Sequence, residues 1–370
     1  MMLARRLRIL VATLVPVLPV VPVLPVVLSA QTPTTRIEDE GGRLVVLIGP
    51  MDVPLPDTAG HAGHGDQHGG MIMPPVAEVT IPFDAWAYAF RYEIVDGAGK
   101  PVPGAVLHHL NVIDPNQRDL FLPISYRVAA MGGETGRLGL PRLLFGHPLR
   151  AGQELVISAM LHNPTGAAYD DVTVRFVFEY VKTGRPWPLF PVYTFQMDVM
   201  FPAGDKDFDL PVGRTAKWWQ GSPAVPGRIL GVGGHLHPNA EKLVLEDVTT
   251  GDTIWQGRPI LDDSGQLAGV SIGRLYRKLG VEVFPDHVYR ATVIYVNKTG
   301  ATIPKGGMGL VAGVFMPSGP WPRPDLAEQL YQLDRAHYLR NVRGSLAEIS
   351  GAAPPKPPAA AAHDHGSHEH

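Results

Sequence analysis

VTVRFVFEY, residues 172–180, alternates Val172, Val174, Phe176, Phe178 and Tyr180 with Thr173, Arg175 and Glu179. A pleated strand sends successive side chains to opposite faces, so this stretch has one apolar face and one mainly polar face and predicts a half-buried β-strand. Working outward, residues 155–162 form a more continuous apolar strand. Residues 242–248 and 253–255 flank Thr250-Gly251-Asp252, a hairpin signal. Residues 289–296 and 308–316 are further strands. The one helical stretch is 325–349, where Leu326, Leu330 and Leu333 fall on one face after Pro322 and Pro324. Gly 41 and Pro 37 in 370 residues suit many short strands joined by turns, and 45% hydrophobic against 18% charged residues excludes wholesale disorder. The expected fold is all-β, with two antiparallel β-sandwich domains of jelly-roll type and a C-terminal helix.

The proline-rich GRPWPLFP at 184–191 marks the expected boundary, giving a first sandwich over 76–188 and a second over 189–322. The helix follows at 323–350, then a Pro/Ala stretch and HDHGSHEH at 351–370. At the other end, Arg5, Arg6 and Arg8 precede an apolar run ending at Ser29 and Ala30, which reads as a signal peptide over 1–30. Pro16, Pro19, Pro22 and Pro25 argue against a transmembrane anchor there, because each removes a helix hydrogen bond that lipid cannot replace. A membrane association is expected only if this segment is uncleaved. The expected location is secreted, periplasmic or cell-envelope. Residues 31–75 read as a flexible segment carrying His61, His64, His68, Met71 and Met73, and together with the tail's His363, His365, His368 and His370 suggest loose metal capture.

Removing residues 1–30 leaves 29 basic and 35 acidic residues, a balance that argues against nucleic acid as a partner. With Cys 0, neither disulfides nor thiolate ligation is possible, so a metal site must use His, Met and carboxylates. Three features then matter: His108-His109, His162, and His235-Leu236-His237 with Met308 and Met316 downstream. His-x-His on a strand places both imidazoles on one face, and a thioether third ligand favours Cu(I). Adjacent His108 and His109 point to opposite faces of a regular strand, so they share an ion only where the backbone bulges or the rings approach from different sides. His147 reads as a turn residue, His287 precedes a strand, His337 lies on the helix, and Asp262-Asp263 form a solvated turn. Asn297-Lys298-Thr299 fits a glycosylation acceptor. No catalytic triad, phosphate loop or paired-carboxylate site is apparent.

The order of these motifs resembles a known family. AVLHHLNVID (105–114), AAMGGETG (129–136), LHNPTGAAYDDVTVRF (161–176), GVGGHLHPNAEKL (231–243) and KGGMGLV (305–311) together resemble the copper type II, ascorbate-dependent monooxygenases, the family of peptidylglycine alpha-hydroxylating and dopamine beta-hydroxylating enzymes. The resemblance extends from about Thr80 to Phe315. It implies two separate copper sites: an electron-transfer copper on His108, His109 and His162, and an oxygen-binding copper on His235, His237 and Met308. It also implies hydroxylation of a C–H bond with O₂ and ascorbate or another reductant, the substrate being a small molecule or peptide. Aligning Asn163-Pro164-Thr165 on the family's motif puts its third histidine at Met160; His162 has the same strand parity and is taken as the ligand because it is an imidazole. Met308 is preferred to Met316, since eight residues of strand span roughly 26 Å and both cannot touch one ion. Gly231-Val232-Gly233-Gly234 lacks the arginine with which the peptide-amidating branch holds a substrate carboxylate. Two other function classes stand beside this one. One is a non-catalytic exported copper protein for storage, buffering or delivery. The other is a structural or adhesive sandwich with incidental histidines.

Overall fold

A computed structural model describes residues 33–55, 71–184, 188–202, 206–263, 265 and 267–349. The signal-peptide reading of 1–30, the histidines at 61, 64 and 68, and the His-rich tail lie outside the described residues.

The chain is all-β, with two antiparallel sandwiches and a single α-helix among the described residues. The first lobe is made of β1 (Arg43–Val53), β2 (Ala77–Thr80), β3 (Ala85–Val95), β4 (Leu107–Arg118), β5 (Ser125–Met131), β6 (Phe145–Leu149), β7 (Glu154–Leu161) and β8 (Tyr169–Lys182). The main strands of its sheets run β1-β8-β3-β6 and β2-β7-β4-β5, the first sheet being extended by three shorter strands. The second lobe has β9 (Tyr193–Asp198), β10 (Gly213–Gly221), β11 (Gly227–Leu236), β12 (Ala240–Asp247), β13 (Asp252–Gly257), β14 (Val281–Val283), β15 (Tyr289–Asn297) and β16 (Gly309–Pro317). Its sheets run β9-β16-β11-β14 and β10-β15-β12-β13. Adding eight to each strand number of the first lobe reproduces the second, so both lobes have the same jelly-roll topology.

Each lobe closes over its own core. In the first, Leu44, Val46 and Phe176 of one sheet meet Leu110, Val112 and Ile157 of the other. Phe176 and Phe178, on the alternating strand, are fully buried, each a stabilisation of roughly 1.5–3 kcal/mol. In the second, Phe195, Ile229 and Phe315 meet Leu243, Leu245 and Val293. The β4–β5 connection sends Leu120, Phe121, Leu122 and Ile124 into this second core, and Trp321 packs against both cores. The lobes therefore belong to one compact unit.

The repeat shows in one turn. Asn163-Pro164-Thr165-Gly166-Ala167 follows β7, and Asn297-Lys298-Thr299-Gly300-Ala301 closes β15. In each, the Asn Nδ2 donates to the Ala carbonyl at 2.8 Å and the Asn Oδ1 accepts from the Thr backbone N–H. Asn297 also donates to the Leu210 carbonyl and is 1% exposed. It is a buried turn residue, which corrects the glycosylation reading.

Other expectations shift. Residues 31–75 are not uniformly flexible: Thr34–Asp39 pairs with β1, and β1 pairs with β8, so 34–53 complete the first sandwich. In the apolar run Leu44 to Ile48, Leu44, Val46 and Ile48 enter the core between the sheets, and Val45 and Leu47 pack with Val177 of β8 on the other face. Phe190–Pro191 pairs with β6, so the second lobe begins at β9 and not at residue 189. Helix α1 (Gln329–Ile349) starts later than expected and buries a different face. Leu326 and Leu333 are 67% and 55% exposed, whereas Tyr331 is buried and Tyr338, Leu339 and Val342 pack on Ile113 and Val156. The Arg127–Asp334 ion pair (2.6 Å) and the Tyr331 hydroxyl donating to the Pro115 carbonyl (2.7 Å) set this rotation about the helix axis. No described helix is long and apolar enough to cross a membrane.

Candidate metal centre

Helix α1 covers one end of the outward face of β7 and β4, over Ile113 and Val156. The register continues along that face through Asn111 opposite Ser158 to His109 opposite Met160. Pairing then jumps from Leu107↔Leu161 to His109↔Met160, one extra residue in β4. This bulge at His108 breaks the strict alternation, and the two rings lie 4.1 Å apart between centroids. His162 follows β7, its backbone N–H held by the Val106 carbonyl at 3.0 Å, and its ring lies 5.4 Å from His108.

The second lobe presents His235 and His237 from the end of β11 on one face, 5.4 Å ring to ring, while Leu236 between them is buried in the core. Gly234 sits where a Cβ would collide with the Leu310 carbonyl and Leu243, so that close strand approach requires glycine. The buried Tyr295 hydroxyl accepts from the backbone N–H groups of His237 (2.9 Å) and Met308 (3.1 Å) and donates to the Met308 carbonyl. One phenol thereby holds the His237 and Met308 backbones side by side. Met316 lies opposite Arg228 and packs beside Leu230 and Tyr276, away from His235.

Expected as two separate sites, the two ligand sets are contiguous. His109 is 5.7 Å from His235 ring to ring, so His162, His108, His109, His235 and His237 form one row across the lobe junction. The bulge at His108 and the packing of the lobes into one unit produce this contact, and neither is visible in local sequence.

Glu134, absent from the sequence reading, holds one member of the row. Its Oε1 accepts a 2.6 Å hydrogen bond from His235 Nδ1 across 101 positions of chain. The loop that carries it is pinned from both sides. Tyr92 donates to the Gly133 carbonyl at 2.8 Å, and a Cβ at Gly133 would press on the Gly104 and Leu107 carbonyls just before His108. The only signal in sequence was an acid among glycines in AAMGGETG.

Burial dominates the electrostatics. It depresses His109 to about 3, helped by neighbouring His108 and His235, and His237 to about 4, helped by His235. His162 is lowered by burial as well. These rings stay neutral at physiological pH, the form that binds metal. Burial alone would raise the Glu134 carboxyl, but the hydrogen bond it accepts from His235 outweighs it and leaves it lowered.

Within the row two buried ring nitrogens, His162 Nδ1 and His235 Nε2, have no hydrogen-bond partner, nor does His147 Nε2 in the first core. With Glu134 on Nδ1, His235 presents Nε2 as a lone pair, the carboxylate–histidine arrangement that metal ligands use. An imidazole centroid lies roughly 3.2 Å from a bound ion, so rings sharing one have centroids roughly 4.5–6 Å apart. His108–His162, His109–His235 and His235–His237 fall within that range, and His108–His109, at 4.1 Å, falls just below it. Among the described residues no three His, Asp or Glu side chains converge as a ready metal site, so a third donor must come from a thioether or from small ring movements. The donors fit copper in kind.

Of the remaining histidines, His287 pairs with Asp247 at 2.6 Å and His337 lies beside Asn341 on α1. His147 is not in a turn: it lies in β6, 2% exposed, donating to the Val192 carbonyl at 3.1 Å among Phe90, Tyr126 and Tyr193.

The fold and site define a double jelly roll with a histidine row at the lobe junction. No family model and no curated protein matches the chain. Among solved structures it is similar to PNGF-II, at 9% identity over 77% of this chain and 66% of that one, with a TM-score of 0.35. It is also similar to the infectious bursal disease virus VP2 subviral particle, at 12% identity over 64% and 59%, with a TM-score of 0.23. The chain thus spans less than two thirds of the length of either.

Proposed function

We propose that this chain is an exported, copper-dependent monooxygenase-like protein that hydroxylates a C–H bond with O₂ and a reductant such as ascorbate. The observation that carries the reading is the histidine row, with two buried ring nitrogens lacking any protein partner. His235, His237 and Met308 would hold one copper, and His108, His109 and His162 the other. Copper there would supply one-electron redox chemistry and a place for O₂. The protein's own part is definite in chemical terms: Glu134 fixes the tautomer of His235, Tyr295 aligns His237 with Met308, and burial keeps His109 and His237 unprotonated. The motif order quoted above supports oxygen chemistry. Gly231 to Gly234, carrying no charge beside His235, supports an uncharged group on the substrate at that place.

A second reading, a non-catalytic copper protein for storage, buffering or delivery, is favoured by Met160 directly opposite His109, a soft donor that holds Cu(I). The test uses the full chain, because residues 34–53 belong to the sandwich. Copper per chain is measured for the wild type and for a His235→Ala/His237→Ala variant, together with ascorbate-dependent O₂ uptake and mass-spectrometric detection of hydroxylated product across a panel of C–H substrates. Loss of one copper with loss of product formation is expected. Copper loss without any turnover in the wild type selects the second reading. Equal copper in both proteins refutes the site.

A further inference from the structure

A second array of soft donors lies on the same sheet face, and it involves residues outside the row just described. Ile72 and Leu161 exchange both backbone hydrogen bonds, Ile72 N–H to the Leu161 carbonyl at 2.8 Å and Leu161 N–H to the Ile72 carbonyl at 2.9 Å. That is a closed antiparallel pair, and its register, carried one residue to either side, sets Met71 across from His162, and Met73 across from Met160. Directly opposed side chains share a face, with Cβ atoms roughly 4.5–5.5 Å apart. Leu161 is buried in the first core and Ile72 packs against that core, so Met71, Met73, Met160 and His162 all turn outward. On the other side of β7, His109 stands opposite Met160. Met-x-Met on the bridging segment is thus set across from Met-x-His at the end of β7, with an imidazole beyond. Met71, Met160 and His162 are half-buried, Met73 is 62% exposed, and His162 Nδ1 is buried without a partner.

Three thioethers around one neutral imidazole are a poor fit to Zn²⁺ or Cu(II) and a good one to Cu(I), because soft sulfur donors select soft, low-charge ions. An unexplained placement also finds a reason. Outward-facing methionines on a short edge segment contribute nothing to the core on whose far side they lie.

We propose that Met71, Met160 and His162 form a Cu(I) site, with Met73 at its rim, that takes up and holds reduced copper at the edge of the first lobe. The site rests on the copper reading above only in that His162 belongs to both. Met71 and Met73, read in sequence as parts of a loose segment, become positioned ligands through the Ile72–Leu161 pair.

The test is anaerobic titration of the full chain with Cu(I) against a chromophoric Cu(I) chelator, with Ag(I) as a redox-inert probe followed through ¹³C-labelled methionine methyl resonances. Ag(I) is expected to shift the methyls of Met71, Met160 and Met73. Met71→Leu/Met160→Leu, a near-isosteric pair of changes, is expected to weaken Cu(I) binding by at least the roughly tenfold that loss of even an outer partner of a metal ligand costs. Cu(II) binding at His235 and His237 should be unchanged. Met308→Leu serves as the control: its effect should be confined to the second lobe and additive with the first. Unchanged Cu(I) affinity in the double variant, or Ag(I) shifts at Met308 alone, overturns the proposal. A chain that binds Cu(I) here but hydroxylates nothing keeps this site and loses the monooxygenase reading. A chain active with O₂ but without these shifts does the reverse.

Discussion

Replacing Glu134 with alanine should weaken copper at the second-lobe histidines without unfolding the protein. Glu134 touches the site through one contact, the 2.6 Å hydrogen bond to His235 Nδ1. That bond is short because it is charge-assisted, and it selects the tautomer that leaves Nε2 unprotonated. Nε2 is buried and unpartnered, so in the wild type its lone pair is available at no cost in lost hydrogen bonds. Without the carboxylate, His235 can rotate or adopt the other tautomer, and ordering it falls to the metal. Outer carboxylate partners of metal-bound histidines are worth roughly 10–100-fold in affinity, or about 1.4–2.7 kcal/mol. Burial of the pair argues for the upper half of that range, because solvent screens it little. Glu134→Gln keeps an acceptor oxygen but no charge and should lose less, up to about tenfold. The assay is competition for Cu(II) against a chromophoric chelator, run as a cycle with His235→Ala, with circular dichroism to confirm folding. If Glu134 acts only through His235, its effect vanishes in the His235→Ala background. A Glu134→Ala protein within about threefold of wild type, or an equal loss in both backgrounds, would refute the carboxylate's positioning role.

Two further predictions concern the scaffold. Gly234→Ala should destabilise by about 1–3 kcal/mol in chemical denaturation, because its Cβ meets the Leu310 carbonyl, which is backbone and cannot yield. Gly233→Ala, whose Cβ finds only Ile272 Cγ1 at 3.8 Å, should be neutral, and equal costs at the two positions would contradict the strand packing. His147 is held near 4, against an ordinary 6.5, by complete burial. The unfolded chain therefore takes up this proton first, so the stabilisation is present above pH 6.5 and lost as pH falls towards 4, a span of about 3 kcal/mol. In metal-free protein, His147→Phe should flatten the decline of unfolding free energy across that window relative to wild type. An unchanged slope would show that His147 is not buried neutral.

Much of this molecule was legible without coordinates, and what was legible is local. Alternation at 172–180 identified a strand, and two-residue spacing put His235 and His237 on one face. Both follow from the pleat of a single strand, which needs no knowledge of what it packs against. The same local rules misled where pairing decides. The run Leu44 to Ile48 became β1 because β8 was there to pair with it, and α1 buried Tyr331, not Leu333, because Arg127 and Pro115 fixed its rotation. The shared Asn-x-Thr-Gly-Ala turn was present in the letters, but its meaning as a repeat needed two lobes of identical strand order to be seen. Tertiary structure alone decided the site. The bulge at His108, the approach of His109 to His235, the reach of Glu134 across 101 positions and the pairing of Ile72 with Leu161 all depend on which segments become neighbours. That choice is made by burying two cores against each other, a long-range free energy that no window of sequence contains.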